Sequence, residues 1–256
     1  MNRIISLLLV AVILVGFSTV ARAEEDLSVE VGTSYMTKYI WRGQLQIDDP
    51  VLTSSATVKL GKLTGSAIGY MDTSNNNGNE WQYTEVDSQI DYSDNLPGLE
   101  GWGFSIGVVH YDFPNTKMKD TTEVYYGLNV NLPLNPNVKV YHDIDEVKDG
   151  IYAALGVSQS IDNIIKVGET SLGINLSASL GWGNAAYNKA YWGAGVNNEK
   201  VNDLTATASI PIRIASDLVI APNVTFVSLL SDDARSANTR GNNDQFVYGI
   251  SLVKSF

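Results

Sequence analysis

The sequence predicts an all-β protein: a transmembrane antiparallel β-barrel of about 12 strands that follows a cleaved signal peptide. Three observations predict it. Residues 1–23 read as an export signal, the rest alternates with period two, and the links between alternating segments are by turns long and short. Long outer loops and short inner turns are the arrangement of outer-membrane barrels.

The signal comes first. Met1-Asn2-Arg3 is a short positive start, and Ile4 to Phe17 is apolar apart from Ser6 and Gly16. Ala21-Arg22-Ala23 is a small-x-small cleavage site before Glu24-Glu25-Asp26. The apolar run is shorter than the roughly 20 residues of a membrane-spanning helix. Cleavage after Ala23 is expected, leaving 24–256 as one outer-membrane barrel.

Twelve alternating segments follow, at about 27–42, 51–60, 65–72, 81–92, 102–113, 122–132, 138–145, 151–159, 170–182, 202–214, 218–230 and 245–256. In the first, Leu27, Val29, Val31, Tyr35, Tyr39 and Trp41 share one face, and Ser28, Glu30, Ser34, Lys38 and Arg42 the other. Period two with unlike faces is the mark of a strand between two environments. Many segments match the roughly 9–11 residues of a tilted membrane strand. The longer links, at 43–50, 73–80, 114–121, 146–150, 183–201 and 231–244, are assigned outside. The set at 61–64, 93–101, 133–137, 160–169 and 215–217 is assigned to the periplasm, although 93–101 and 160–169 are long for turns.

Period two does not say which face is wet, since a soluble sandwich alternates too. Lipid is favoured because the polar face is rich in Gly, Ser, Thr and Asn, as a narrow lumen requires. Aromatic residues also gather at strand ends. Tyr39, Trp41, Tyr70, Trp182, Phe226, Phe246 and Tyr248 fall near the loop end, and Tyr92, Trp102, Phe104 and Phe256 near the turn end. Rings at the headgroup level form such girdles. The terminal Phe256 looks like the signal read by barrel-assembly machinery in Gram-negative outer membranes.

The chain has 256 residues, 17 Lys+Arg against 28 Asp+Glu, and a formal charge of −11. This acidic balance argues against a nucleic-acid partner. With no Cys, disulfides, thiolate metal sites and a cysteine nucleophile are excluded. His110 and His142 are the two imidazoles, so no three-His metal site exists, and no Gly-x-Ser-x-Gly elbow occurs. Neither catalysis nor a cofactor or metal is expected. Asp72 with Glu80, and Asp232 with Asp233, lack the spacing of a calcium loop and read as solvated loops.

Ser34-Tyr35-Met36-Thr37-Lys38-Tyr39-Ile40-Trp41-Arg42-Gly43-Gln44, followed by Pro50-Val51-Leu52, resembles the opening element of the Gcw_chp (TorF-like) family of bacterial outer-membrane proteins. His110 to Asn115 and Glu123-Val124-Tyr125-Tyr126-Gly127 are similar to its mid-chain elements. The resemblance implies an outer-membrane barrel and no particular cargo.

Alternation places Lys38, Arg42, Lys59, Glu123, Tyr125, Lys139, Tyr141, Asp143, Asp145 and Arg213 on the lumen side. They are candidates for a charged constriction that filters solutes, or for internal charge pairs that fill a closed lumen. Tyr39, Trp41, Trp102, Trp182, Phe246, Tyr248 and Phe256 are the candidate membrane-interface aromatics. The expected function is a narrow, porin-like channel for small hydrophilic solutes. A non-conducting barrel that works through its outer loops is the alternative. Outer-membrane lipids and the assembly machinery are the expected partners.

Overall fold

The computed structural model describes residues 27–76 and 78–256; the expected signal peptide, 1–23, lies outside them. In chain order the elements are β1 Leu27–Met36, β2 Tyr39–Trp41, β3 Gln44–Ile47, β4 Val51–Leu60, β5 Leu63–Asp72, β6 Gln82–Asn95, β7 Trp102–Asp112 and β8 Thr121–Val130. There follow β9 Asn137–Asp143, β10 Ile151–Val167, β11 Thr170–Gly183, helix α1 Ala185–Trp192, β12 Lys200–Ser209, β13 Ile212–Ala215, β14 Leu218–Leu229, helix α2 Asp232–Ala237 and β15 Asp244–Ser255.

Sequence neighbours pair antiparallel around a ring, and β1 closes it against β15. β12 and β13 are two halves of one stave, each pairing with β11 and β14. The interruption falls at Ile210-Pro211, where proline has no N–H to give to a ladder. Counted so, the barrel has twelve staves. The start of β1 and the end of β15 meet at the turn end, where Val29 N–H donates to the Phe256 carbonyl. The long links leave from the opposite, loop end.

Partners across a ladder share a face, so the register fixes which way each residue points. Val31 pairs with Ala56, and Tyr35 with Leu52 and Ile250. Leu27, Val31, Tyr35, Ile106, Tyr126, Leu155, Leu176 and Ile250 all stand exposed on the outer face. An apolar belt around a closed sheet is uncovered in water and satisfied in lipid, and closure leaves no unpaired edge to desolvate. A charge there should be costly. Ile250→Lys is expected to lose roughly 2–4 kcal/mol near the bilayer midplane. Ser251→Lys, on the lumen face, should lose far less. Urea unfolding in lipid vesicles compares the two, and equal losses would contradict this orientation.

The structure corrects three segments. The first alternating run is not one strand: β1 stops at Met36, and 39–47 form a separate two-stranded hairpin. The suspect link at 160–169 is mostly strand, since β10 continues to Val167 and turns at Gly168-Glu169. Likewise β6 runs on to Asn95, which shortens the link to 96–101. Alternation continues weakly through these stretches, so its end is a poor guide to where a strand turns.

The buried residues cluster inside the barrel. One cluster is Tyr39, Ile47 and Val51, with Met36, Trp41 and Tyr70 against it. Another is Val109, Tyr111 and Tyr125, with Trp41, Phe113 and Tyr141. A third, Trp192, Val196, Leu229 and Ala234, joins the two loop helices to the wall. Hairpin residues belong to the first and touch the second, so the loop end of the lumen is packed.

Candidate functional site

The hairpin β2–β3 enters the barrel mouth. Its tip is Arg42-Gly43, two residues between the paired Trp41 and Gln44. Their φ values are 47° and 81°, the positive pair that a type I′ turn requires. Gly43 suits this for two reasons. A side chain at φ 81° is strained, and a Cβ there would fall under 3.0 Å from Leu229 and Asp203 side chains. Arg42 has no such freedom, and its left-handed backbone is held by what its side chain grips.

That grip reaches the far wall. The Arg42 guanidinium donates to both Glu123 oxygens, Nη1 to Oε1 at 2.8 Å and Nη2 to Oε2 at 2.6 Å. Tyr111 Oη donates to the same Oε2 at 2.9 Å. The guanidinium lies 4.4 Å from the Trp41 ring centroid, 4.5 Å from Tyr141 and 4.4 Å from Tyr152. Side-chain exposure is 8% for Arg42 and 2% for Glu123. A planar fork matching a carboxylate, enclosed by ring faces, suits arginine and no other cation. Burial disfavours the guanidinium charge, but Glu123, Tyr111 and Tyr187 together outweigh it and raise the Arg42 pKa well above its ordinary value. The Arg42 guanidinium is charged at any physiological pH.

The flanks are fixed as well. Tyr39 Oη donates to Glu85 Oε1 at 2.8 Å, and its ring stacks on Tyr70 at 4.1 Å. Burial, with Tyr70 and the nearby carboxylates, pushes the Tyr39 hydroxyl well above its ordinary pKa, so it remains a donor. Lys38 donates to Gln245 at 3.0 Å and pairs with Asp48 at 2.9 Å across the base of the hairpin. Tyr39→Phe would leave the buried Glu85 without this donor. The expected loss is roughly 1–3 kcal/mol in unfolding in detergent, and a change below 0.5 kcal/mol would show the bond to be idle.

Two loop helices close around the hairpin. Asn184 caps α1, its side chain accepting from Tyr187 N at 2.9 Å and from Ile151 N at 3.0 Å. The helix lays Tyr187 against Tyr152, and Tyr191 against Trp41. Asn188 is fully buried, bonding the Gly183 and Asn198 carbonyls and accepting from Asn202. Ser231 caps α2, and Asp233 in its first turn pairs with Lys200 at 2.6 Å. Asp232 and Asp233 therefore start a helix rather than lie in a plain loop, and Asp72 is buried rather than solvated.

The predicted lumen residues separate into groups. Glu123, Tyr125, Tyr141 and Asp143 face inward on β8 and β9 as expected, with Tyr125 fully buried and donating to Asp91 at 2.5 Å. Lys139 lies below them, 4.4 Å from the Tyr125 ring. Lys59 and Arg213 point inward near the turn end, far along the strands from the hairpin; Arg213 donates to the Ser216 carbonyl. Three placements are corrected. Lys38 and Arg42 are not on the β1 face but in the inserted link, and Asp145 lies beyond β9 in an exposed one. Trp102, Trp182, Phe246, Tyr248 and Phe256 hold outward positions. Tyr39 and Trp41 do not: both are inside the barrel, because the hairpin turns the chain inward where alternation assumed a continuing strand, and Tyr70 faces inward by the register of β5. His110 and His142 keep the outer parity, with His110 Nδ1 3.0 Å from Thr122 Oγ1.

The hairpin divides the interior. On its outer side is a vestibule of about 460 Å³ between Trp41, Gln44, Gln46, Phe113 and Tyr191. A second hollow of about 480 Å³ adjoins it near Tyr39 and Asp48. On the turn-end side is a polar chamber of about 590 Å³, lined by Gln89, Asp91, Ser93, Ser105, Asn129 and Lys139 among others.

No family model matches the chain, and no curated protein sequence is similar to it. Solved structures of the same fold are found. The NanC porin aligns with a TM-score of 0.51 at 12% identity, covering 88% of this chain and 98% of the porin. A bacterial polysaccharide outer membrane secretin aligns at 0.48 and 9% identity, covering 90% and 97%. The outer membrane phospholipase A from Escherichia coli aligns at 0.45 and 9% identity, covering 89% and 92%. The chain thus has the fold of an outer-membrane β-barrel of twelve antiparallel staves.

Proposed function

We propose that this protein is a narrow outer-membrane channel for small hydrophilic solutes, with the β2–β3 hairpin as its constriction. The observation that carries the reading is the placement of the hairpin: a polar chamber on one side, an open vestibule on the other, and a latched segment of the chain between them. The chamber walls carry Ser, Asn, Gln and Gly, which suit water rather than lipid or packed core. Because the Arg42 charge is fully engaged by Glu123, the constriction selects by width before charge. Export through the signal peptide, a Gram-negative outer membrane and insertion through the Phe256 strand belong to the same proposal.

Liposome swelling with solutes of graded size tests it. Uptake of the smallest sugars and amino acids, with a sharp fall as size grows, is the expected result. Impermeability to all of them, in vesicles where the barrel is folded and inserted, would favour the non-conducting alternative. The packing around Arg42 is the specific observation on that side, because it fills the loop end.

A further inference from the structure

We propose that the outer vestibule is a recognition site for neutral saccharides of one or two rings, built on the outer face of the hairpin itself. The inference names a solute class for the channel reading and rests on that reading for its use.

The lining supplies the two things that a sugar ring needs. Trp41, Tyr111, Phe113, Tyr191 and Trp192 give aromatic surface, against which the C–H faces of a pyranose pack. Gln44, Gln46 and Asn238 give primary amides, which both donate and accept, as sugar hydroxyls do. The site holds about 460 Å³, within the usual range for small-ligand pockets of roughly 300–1,000 Å³.

Charge decides against an ionic solute. Glu85, Glu146, Lys119 and Arg240 are the ionisable acids and bases of the lining, two of each sign. Lys119 is bound by both Glu146 oxygens, at 2.8 and 2.9 Å, and Glu85 accepts from Tyr39. A carboxylate or ammonium solute would meet a balanced wall and lose its hydration for little return.

Two donors at this wall are incomplete. The Gln44 Nε2 amide and the Trp192 Nε1 indole are buried and have no hydrogen-bond partner among the described residues. A buried donor left unmade costs about 1–3 kcal/mol, so the protein carries a penalty here that an acceptor can remove. Both donors belong to residues lining the same cavity, one from the hairpin and one from α1. A hydroxyl or ring oxygen reached by a small turn of either side chain would satisfy them.

The test is isothermal titration of the refolded mature barrel with maltose, in a detergent without a sugar headgroup. Titration in micelles needs no transport. Saturable binding is expected, weakened roughly tenfold in Gln46→Ala and in Tyr191→Ala. Tyr191→Phe, which keeps the ring, should bind as the parent does. No saturable heat, parent-like affinity in the two alanine variants, or tighter binding of gluconate than maltose would each overturn the proposal. Conductance with no maltose binding defeats this site and leaves the channel standing. Binding with no conductance defeats the channel and leaves the site.

Discussion

Replacing Arg42 with alanine is expected to have the largest effect of any single change. The substitution removes the side chain whose hydrogen bonds tie the hairpin tip to the opposite wall. It also leaves Glu123 buried at 2% exposure with Tyr111 as its remaining side-chain donor, where the bidentate cation had been. Breaking a buried pair from one side costs roughly 3–5 kcal/mol, because the surviving charge stays desolvated. Urea unfolding in micelles should show that loss. Single-channel recording should at the same time show larger steps, since the hairpin is no longer held across the lumen. The double variant Arg42→Met with Glu123→Gln separates the two effects. It removes the orphan charge, so most of the stability should return. The conductance should remain high, because the latch is still gone. A double variant with the parent conductance would mean that something other than this ion pair holds the hairpin.

Gly107→Ala is expected to have the second largest effect, through volume rather than charge. A Cβ at Gly107 would lie under 3.0 Å from the Tyr125 ring and from the Ile90 backbone carbonyl. Neither can give way easily. Tyr125 is fully buried, bonded to Asp91 and covered by Lys139, while Ile90 belongs to the adjacent stave. Overpacking of this kind costs roughly 1–3 kcal/mol and sometimes more. The strain would spread along β8 to Glu123, and so to the latch. Gly195→Ala, where an added Cβ meets nothing within 4 Å, is the matched control. Reduced yield of the heat-modifiable band and a lower urea midpoint are expected for Gly107→Ala alone. Equal behaviour of the two variants would show that the Gly107–Tyr125 packing is loose.

The barrel was legible in the sequence because lipid on one side and water on the other force a strict alternation. Most of Leu27 to Met36, Thr121 to Val130 and Asp244 to Ser255 follow it, although Val247 and Val253 face inward and Lys254 outward. The hairpin was not legible by the same means. Tyr39 and Trp41 continue the parity of Tyr35, so they extend the first strand on paper. Yet a signal was present. Arg42-Gly43 stands between Tyr39-Ile40-Trp41 and Gln44-Leu45-Gln46, an X-Gly pair between two short alternating runs, which is a hairpin cue. The segment that carries the resemblance to the Gcw_chp family, Ser34 to Gln44, is the end of β1 and most of this hairpin.

Site residues follow the same division. Glu123, Tyr125 and Tyr141 were placed in the lumen by alternation alone. Their partner Arg42 was named for the right side of the wall and the wrong element. Tyr111, Tyr152, Tyr187 and Asp203 went unnoticed, because the tyrosines matter by converging on Arg42 from β7, β10 and α1, and Asp203 of β12 by accepting from Tyr152. Convergence of distant elements leaves no mark at any one position.

Single-channel conductance of a hairpin-deleted barrel, with residues 39–47 replaced by a short Gly-Ser link, tests the central claim most directly. The deletion leaves every stave intact, since the hairpin pairs only with itself. The account predicts small or rare steps in the parent protein and large, steady ones in the deletion. Identical conductance in the two, with both folded and inserted, would contradict the hairpin as the constriction.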